Sequence, residues 1–411
     1  MTNNAINVRM HALNVLYGVL VKKYKAKVCI ENALKQHAWE PRDSALLREL
    51  VYGVLRYHFS LEADVSRYIN QKPDERVRLV LLLGVYQIRH MRIPPHAAVG
   101  ETVAVIKPYA PRAAGFVNAV LRKVADSEAP TKLKPAQRAE LPKWMYQTWR
   151  NTFGADAIQK MAESCKQTPD LCLAVFHKRN AWITEANAQG FEARAGKDSP
   201  YAVLLNPNAN VTKLPGYESG AFIVMDQAAQ AAAMAVESSI ESATILDLCA
   251  APGGKTALLA NRFPKAKITA VELNPKRMPR LQENLKRLNC SNVEILQADC
   301  TNLPYDDSSV DAIMLDAPCS ASGTLRRHPD AKFLHDQDSM NKASILQKVL
   351  VKEALRVLKP KGSLVYAVCS IHPTENELVI NEFKGVHNSL RLLPSDDHDG
   401  FFFAQFIKAA S

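Results

Sequence analysis

Two cysteines of this 411-residue chain occupy similar places, each shortly after an apolar run. Cys319 lies in "LDAPCSASG", just past the apolar run that ends at Asp316, and Cys369 lies between "LVYAV" and the polar, proline-marked turn "SIHPTENE". A thiolate can add to an unsaturated ring carbon, and a second thiol can move the proton that such chemistry displaces. If both runs are neighbouring strands, about 4.8 Å apart, the two sulfur atoms converge on one cleft.

Two thiols and an acid suit the methylation of cytosine at carbon 5. That carbon is a poor nucleophile until a thiolate adds to carbon 6 and turns the ring into an enamine. Asp316 would assist by protonating or hydrogen-bonding ring nitrogen 3. The pattern predicts one attacking and one releasing cysteine. Their assignment stays open at this point, because DNA cytosine methyltransferases attack with the cysteine of a Pro-Cys pair like Pro318-Cys319.

A glycine turn after the apolar stretch "TILDL" predicts the place of a cofactor. Glycines allow close backbone approach, and the N-terminus of the following helix favours an anionic group. Acids that close the first three predicted strands would bond ribose hydroxyls and attract a cationic cofactor such as S-adenosyl-L-methionine. The turn comprises Cys249, Ala250, Ala251, Pro252, Gly253, Gly254 and Lys255, and the predicted strand-end acids are Asp247, Glu272 and Asp299.

Two other functions fit parts of the same sequence. "CAAPGGKT" differs from a phosphate-binding loop of nucleotide hydrolases only in having Cys249 at the first glycine position, which makes an ATPase one alternative. A non-catalytic RNA-binding factor is the other. Residues 1–140 carry 22 Lys and Arg against 12 Asp and Glu, in a chain of net charge +11. Such a basic segment is typical of a partner with a phosphate backbone.

The elements that must position these residues follow from hydrophobic periodicity. Residues 1–125 read as helices, one of them N-capped by Asp43 or Ser44, and residues 126–142 read as a polar linker. Residues 143–225 mix helix and short strands, which predicts a small α+β segment. From 226 to 411 strands alternate with helices, the last helix over 374–383, and this alternation predicts an α/β domain with a doubly wound parallel sheet.

Several classes of protein are disfavoured by composition. No run approaches the roughly 18 apolar residues of a membrane span, and no signal-peptide pattern is present, so we expect a cytoplasmic protein. The eight cysteines then read as reduced thiols, and no zinc-ligand spacing appears, so no metal is expected. The cysteines expected to be structural are Cys29, Cys165, Cys172, Cys290 and Cys300.

The blocks "LDLCAAPGGKT", "LDAPCSASGTLRRHPD" and "AVCSIHPTENE" resemble the signature motifs of the Sun/Nol1/Nop2 family of RNA cytosine-5 methyltransferases. The resemblance extends to "RIPPHAAVGETV", "GFVNAVLRK" and "DGFFFAQFIK", so it spans nearly the whole chain. It implies a class I, Rossmann-like methyltransferase domain that uses S-adenosyl-L-methionine, preceded by a NusB-like RNA-binding domain. The implied domains are 1–135, 143–225 and 226–411.

By this resemblance Cys369 is the nucleophile and Cys319 releases the product. The 249–255 turn with Glu272, Asp299 and Asp316 contacts the cofactor or the base. The implied substrate is one cytosine in a 16S ribosomal RNA hairpin loop, methylated by a monomer that needs no membrane. Two positions depart from the family pattern: Val368 replaces a usual threonine, and Glu272 a commoner aspartate. The basic residues expected to hold flanking phosphates are Arg326, Arg327 and Lys332.

Overall fold

The computed structural model describes residues 7–410, which form two compact units. One unit comprises the chain up to Lys166 together with Leu325–Asp336, and the other comprises Gln167–Thr324 and Gln337 onward. Within the described part of the chain, no helix has both the length and the apolar character needed to cross a membrane.

The first unit is helical, because its apolar residues recur at helical spacing and bury one stripe of each helix. Ten helices come from the continuous N-terminal part and one, α15, from the later segment. Their bounds are α1 (Val8–Leu20), α2 (Ala26–Leu34), α3 (Pro41–Arg56), α4 (His58–Ser66), α5 (Glu75–His90), α6 (Pro95–Ile106), α7 (Ala114–Ala125), α8 (Pro135–Arg138), α9 (Lys143–Phe153), α10 (Ala155–Lys166) and α15 (Ala331–Leu334), with a 3₁₀ turn at Pro111–Ala113.

The predicted N-cap of the third helix is wrong. Helix α3 begins at Pro41, and Glu40 is its cap residue. Proline suits the first helical position because it needs no N–H partner there and its φ is already helical. Asp43 instead lies in the first turn, where its charge complements the helix dipole.

The second unit contains a small antiparallel sheet followed by the main sheet. The small sheet has the strand order β2-β3-β1-β4. The helix α11 packs beside this sheet, and apolar side chains of the sheet and the helix together form a separate core. The bounds are β1 (Leu171–Val175), α11 (Arg179–Ala188), β2 (Arg194–Ala195), β3 (Ala202–Leu205) and β4 (Phe222–Val224), with a 3₁₀ turn at Val211–Lys213.

The main sheet has seven strands in the order β10-β11-β9-β8-β5-β6-β7. Five neighbouring strands run parallel, and β11 is antiparallel to both of its neighbours. This confirms the predicted doubly wound α/β sheet. The bounds are α12 (Gln227–Met234), β5 (Thr244–Leu248), α13 (Gly254–Arg262), β6 (Lys267–Val271), α14 (Met278–Arg287), β7 (Val293–Leu296), β8 (Val310–Asp316), α16 (Gln337–Val357), β9 (Leu358–Val368), α17 (Glu377–Ile380), β10 (Val386–Leu392) and β11 (Phe401–Ile407), with 3₁₀ turns at Ser322–Thr324 and Pro373–Glu375.

The observed grouping differs from the predicted domains in two places. Helices α9 and α10, which fall within the predicted 143–225 segment, group with the helical unit, whereas β1–β4 group with the main sheet. Residues 325–336, which lie between β8 and α16 in sequence, group with the helical unit. The charge pattern and hydrophobic periodicity of the sequence do not predict the grouping of residues 325–336 with the helical unit, because that grouping depends on contacts between distant parts of the chain.

Candidate active site

The two cysteines end adjacent strands of the main sheet. Strands β8 and β9 pair in parallel, with Asp316 opposite Ala367. The chain after each strand therefore leaves the sheet at the same edge. The Sγ atoms of Cys319 and Cys369 are 3.4 Å apart. The sequence-based expectation that the sulfurs converge on one cleft is met.

The pair is asymmetric in its electrostatics. The hydrogen bond with Cys369 and burial raise the pKa of the Cys319 thiol well above its ordinary value. Two adjacent thiols do not both ionise readily, because the second negative charge is disfavoured by the first. Cys319 is thus the thiol of the pair that holds its proton more tightly than an ordinary cysteine.

Lys255 brings a cation to the same edge of the sheet. Its Nζ donates to Asp316 Oδ2 at 2.8 Å. Burial lowers the pKa of Lys255, but the Asp316 carboxylate outweighs burial, and Asp247 and Cys369 add to it, so the net pKa is raised. The Lys255 ammonium therefore interacts electrostatically with both Asp316 and Cys369 at this edge of the sheet.

A buried polar cluster behind the sulfurs went unrecognised in the sequence. Glu375 is completely buried, and its carboxylate accepts hydrogen bonds from Ser320, Ser370 and Gln347. The only signal for this role was an acid in a polar turn six residues after Cys369, which usually means a solvated side chain.

The glycine turn after β5 has the conformation that its residue types suggested. Gly253 has φ +98°, in the left-handed region, and is the N-cap residue of α13. A Cβ atom there would lie 2.9 Å from Leu281 Cδ1. Cys249 also adopts a positive φ of +62°. The turn is held from outside by Asn284 Nδ2, which donates to the Pro252 carbonyl at 2.8 Å.

Glu272 directly follows β6 and orders the glycine turn. Its carboxylate accepts from the backbone N–H groups of Ala251, at 3.3 Å, and Asn274, at 2.9 Å. Arg277 pairs with the same carboxylate at 3.0 Å and also donates to the Ala251 carbonyl. Leu273, next to Glu272, is 56% exposed and offers an apolar surface at the mouth of the turn.

The other two acids predicted at strand ends are Asp247, which lies within β5, and Asp299, which lies three residues after β7, and they differ in burial. Asp299 is exposed, and its Oδ1 accepts from the Thr301 N–H and hydroxyl, both at 2.8 Å, which lowers the pKa of Asp299. Asp247 is fully buried and accepts from the Thr256 hydroxyl. Burial raises the pKa of Asp247 to about 7. Its Oδ1 atom has no hydrogen-bond partner within the described residues.

These features fit S-adenosyl-L-methionine. Asp247 Oδ1 is a buried carboxylate oxygen without a partner within the described residues, and Gly253 keeps the turn tight where a Cβ would press on Leu281. The carboxylates of Glu272 and Asp316 near the turn suit a cationic sulfonium and its ammonium group better than a triphosphate. The ATPase alternative therefore does not fit the site.

The prediction that Arg326 and Lys332 hold phosphates is wrong for this arrangement, because both side chains are buried within the helical unit. Lys332 Nζ donates to the carbonyl oxygens of Arg56, at 3.1 Å, and Glu140, at 2.8 Å. Burial lowers the pKa of Lys332 to about 8. Arg327 is only half-buried and stays a candidate for RNA contact.

Comparison with known proteins identifies related family models and a related fold. Residues 234–405 match the model for the 16S rRNA methyltransferase RsmB/F family, residues 6–126 match the NusB family, and residues 141–212 match the ferredoxin-like domain of RsmF/B-like methyltransferases. The structure of PH0851 superposes with a TM-score of 0.80 at 23% identity, covering 98% of both chains. NSun6 from Pyrococcus horikoshii, crystallised with SFG, gives a TM-score of 0.57 at 20% identity, covering 66% of this chain and 99% of that one.

Curated relatives match over almost their full length. The ribosomal RNA small subunit methyltransferase B of Vibrio vulnificus is 33% identical over 98% of this chain and 100% of its own. The protein of the same name from Vibrio cholerae is 36% identical over 98% of both chains. The cofactor is S-adenosyl-L-methionine, in agreement with the fit of the glycine turn. The chain belongs to the 16S rRNA methyltransferase RsmB/F family.

Proposed function

We propose that this protein transfers a methyl group from S-adenosyl-L-methionine to carbon 5 of one cytosine in a hairpin loop of 16S ribosomal RNA. The observation that carries the proposal is the pair of sulfurs 3.4 Å apart at the ends of β8 and β9, beside the Lys255–Asp316 ion pair. Two thiols in one cleft serve a reaction in which one bond to sulfur is made and broken while a proton is removed elsewhere on the same ring.

Cys369 is the proposed nucleophile. Its sulfur forms a bond to carbon 6, and the ring electrons move to carbon 5. Lys255 stabilises the thiolate before attack. Asp316 accepts a hydrogen bond from Lys255, so the two together present an acceptor and a donor to the amino group and nitrogen 3 of the base. The bound cofactor supplies an electrophilic methyl group, which carbon 5 attacks.

Cys319 is the proposed release residue. Before attack, the neighbouring Cys369 raises the pKa of Cys319 and keeps it protonated. Once Cys369 is bonded to carbon 6, its sulfur no longer carries a negative charge. Cys319 then ionises more easily and removes the carbon-5 proton, and the carbon–sulfur bond breaks as the aromatic ring re-forms. The adduct itself therefore activates the second thiol.

The target base must leave its stack to reach the cleft, as bases do for enzymes that modify them. We also propose that the loop between α1 and α2 contacts the RNA backbone. It presents Lys22 and Lys25, with Lys27 in the first turn of α2, around Tyr24, which is 60% exposed. Basic residues interleaved with an exposed aromatic ring are a common single-strand binding surface. The Ala26 N–H donates to Asp330 at 2.9 Å, so this loop lies beside the segment that carries Arg327.

The test separates attack from release. Cys369→Ala should abolish methylation, measured as tritium transferred from labelled cofactor to 16S ribosomal RNA. Cys319→Ala should transfer the methyl group but accumulate a covalent RNA–protein adduct, visible as a band of reduced mobility on a denaturing gel. Cys290→Ala is the matched control, because this thiol lies elsewhere, bonded to the Leu288 carbonyl, and should behave as wild type.

If the adduct forms with Cys369→Ala and not with Cys319→Ala, then Cys319 is the nucleophile and Cys369 is the release residue. Normal RNA binding without any methyl transfer by the wild-type protein would instead favour the non-catalytic RNA-binding function. Mapping 5-methylcytosine in ribosomal RNA by mass spectrometry, with and without the protein, identifies the target nucleotide.

A further inference from the structure

The buried carboxylate of Glu375 connects the loops that follow the two sulfurs. Its Oε1 accepts from the Ser320 N–H at 2.9 Å, and its Oε2 accepts from the hydroxyls of Ser320 and Ser370, both at 2.5 Å. Ser320 directly follows Cys319, and Ser370 directly follows Cys369. One side chain thus holds the residue next to each sulfur.

Groups around Glu375 fix its position in turn. The fully buried Gln347 of α16 donates to Glu375 Oε1 at 3.2 Å and to the Pro318 carbonyl at 2.9 Å. The Tyr366 hydroxyl, on β9, donates to the Glu375 carbonyl at 2.6 Å. The Ser320 N–H and the Gln347 amide NH₂ can only donate, so Oε1 is the acceptor in both of these bonds. In a dry interior such hydrogen bonds are strong and directional.

We propose that Glu375 is a positioning residue, which holds the loops of Cys319 and Cys369 at the separation that lets one sulfur attack and the other remove the carbon-5 proton. The inference rests on the proposed function and adds a group that touches neither RNA nor cofactor. Misplacing reacting groups by about 1 Å can cost roughly 100-fold in rate. A clamp on both loops controls that distance directly.

Glu375→Gln is the informative variant, because it keeps the volume and one oxygen but removes the charge. Its amide NH₂ would face the two serine hydroxyls that now donate to Oε2. Glu377→Gln is the matched control two residues later. The Glu377 carboxylate pairs with Arg391, and among the described residues it makes no hydrogen bond to either cysteine loop. The melting temperature of each variant verifies that it is folded.

The first measurement uses phenylarsine oxide, a trivalent arsenical that bridges two adjacent thiols and releases water. It reports the geometry of the sulfur pair without any RNA, so its result stands even if the proposed substrate is wrong. We expect binding to be at least about tenfold weaker in Glu375→Gln, given the distance sensitivity of preorganised pairs. Glu377→Gln should bind as wild type. Cys319→Ala gives the baseline, which includes any binding at Cys249 and Cys300, a second pair of hydrogen-bonded thiols.

The second measurement follows the RNA. Glu375→Gln should accumulate methylated covalent adduct, because release needs both sulfurs at their correct separation. Release of the methylated RNA from this variant should slow by about 10- to 100-fold. A residue that only stabilised the fold would lower the yield of active protein without changing the ratio of adduct to product.

Wild-type arsenical binding and a wild-type adduct ratio in a folded Glu375→Gln variant would overturn the proposal. If that variant does not fold, Ser320→Ala and Ser370→Ala each remove one bond to Oε2 and leave the carboxylate in place. Weaker arsenical binding in either serine variant supports the clamp, and wild-type binding in both overturns it. A wild-type protein that binds the arsenical but methylates no cytosine refutes the proposed function alone.

Discussion

At the scale of single residues, the protein contains several ionisable side chains that are buried. Asp247 is a fully buried acid with a pKa of about 7, because burial disfavours its charge. The Lys332 ammonium is buried against backbone carbonyls, and Glu375 against hydroxyl and amide donors. Each of these groups has a measurable consequence when it is neutralised or removed.

Asp247→Asn should change how stability depends on pH. The pKa of Asp247 is higher in the folded state, about 7, than its ordinary value of 3.8. The acid therefore favours folding at low pH, and that contribution is lost as pH rises toward 7, by on the order of 1 kcal/mol per unit. The variant lacks this loss, so its stability relative to wild type should increase between about pH 5 and pH 7 in urea unfolding. An equal difference at both values would contradict the raised pKa.

The residues with chemistry were only partly accessible from sequence. Cys319 and Cys369 could be recognised because each comes soon after an apolar run, and strand ends meet at one edge of a parallel sheet. Glu375 could not, because its partners lie on a loop 55 residues earlier and on α16. Arg326 and Lys332 were misread because charged residues are usually exposed. Local sequence does not reveal a buried carbonyl pair that can hold an ammonium group.

At the scale of elements, the alternation of strands and helices after residue 226 correctly predicted the sheet. The final predicted helix over 374–383 is different in the structure. A 3₁₀ turn at Pro373–Glu375 and the short helix α17 replace it, with a non-helical Asn376 between them. This break allows Glu375 to turn inward, a tertiary requirement that overrides helix propensity.

Two alanine substitutions in the glycine turn compare the cost of a side chain at a positive φ with its cost at an ordinary φ. Gly253→Ala should lower the stability of the cofactor-free protein by about 1–2 kcal/mol, because Gly253 has φ +98° and an added Cβ would lie 2.9 Å from Leu281. Gly254→Ala is the neighbouring control, since its φ is not positive and its Cβ would meet mainly the flexible end of Met225, at 3.3 Å. Thermal unfolding compares the two. Equal melting temperatures would argue against the left-handed conformation at Gly253.

At the scale of the whole molecule, net positive charge is concentrated in the helical unit. We therefore expect the affinity for RNA to fall as the salt concentration rises. Replacing Lys22, Lys25 and Lys27 by glutamine should reduce the slope of log affinity against log salt by about 2, as expected for three lost phosphate contacts to single-stranded RNA. The control replaces Lys107, Arg122 and Lys123, three exposed cations elsewhere on the same unit. An equal loss of slope in both triple variants would attribute binding to net charge rather than to this loop.

Residues 325–336 make the helical unit dependent on a distant part of the gene. A polypeptide that stops at Lys166 would lack Asp330 and Lys332, and with them the partners of the Ala26 N–H and the Glu140 carbonyl. The two halves of this protein therefore cannot be separated by a single cut without leaving one of them incomplete. A chimaera that takes its N-terminal helices from a relative therefore also needs residues 325–336 of that relative, or a segment that makes the same contacts.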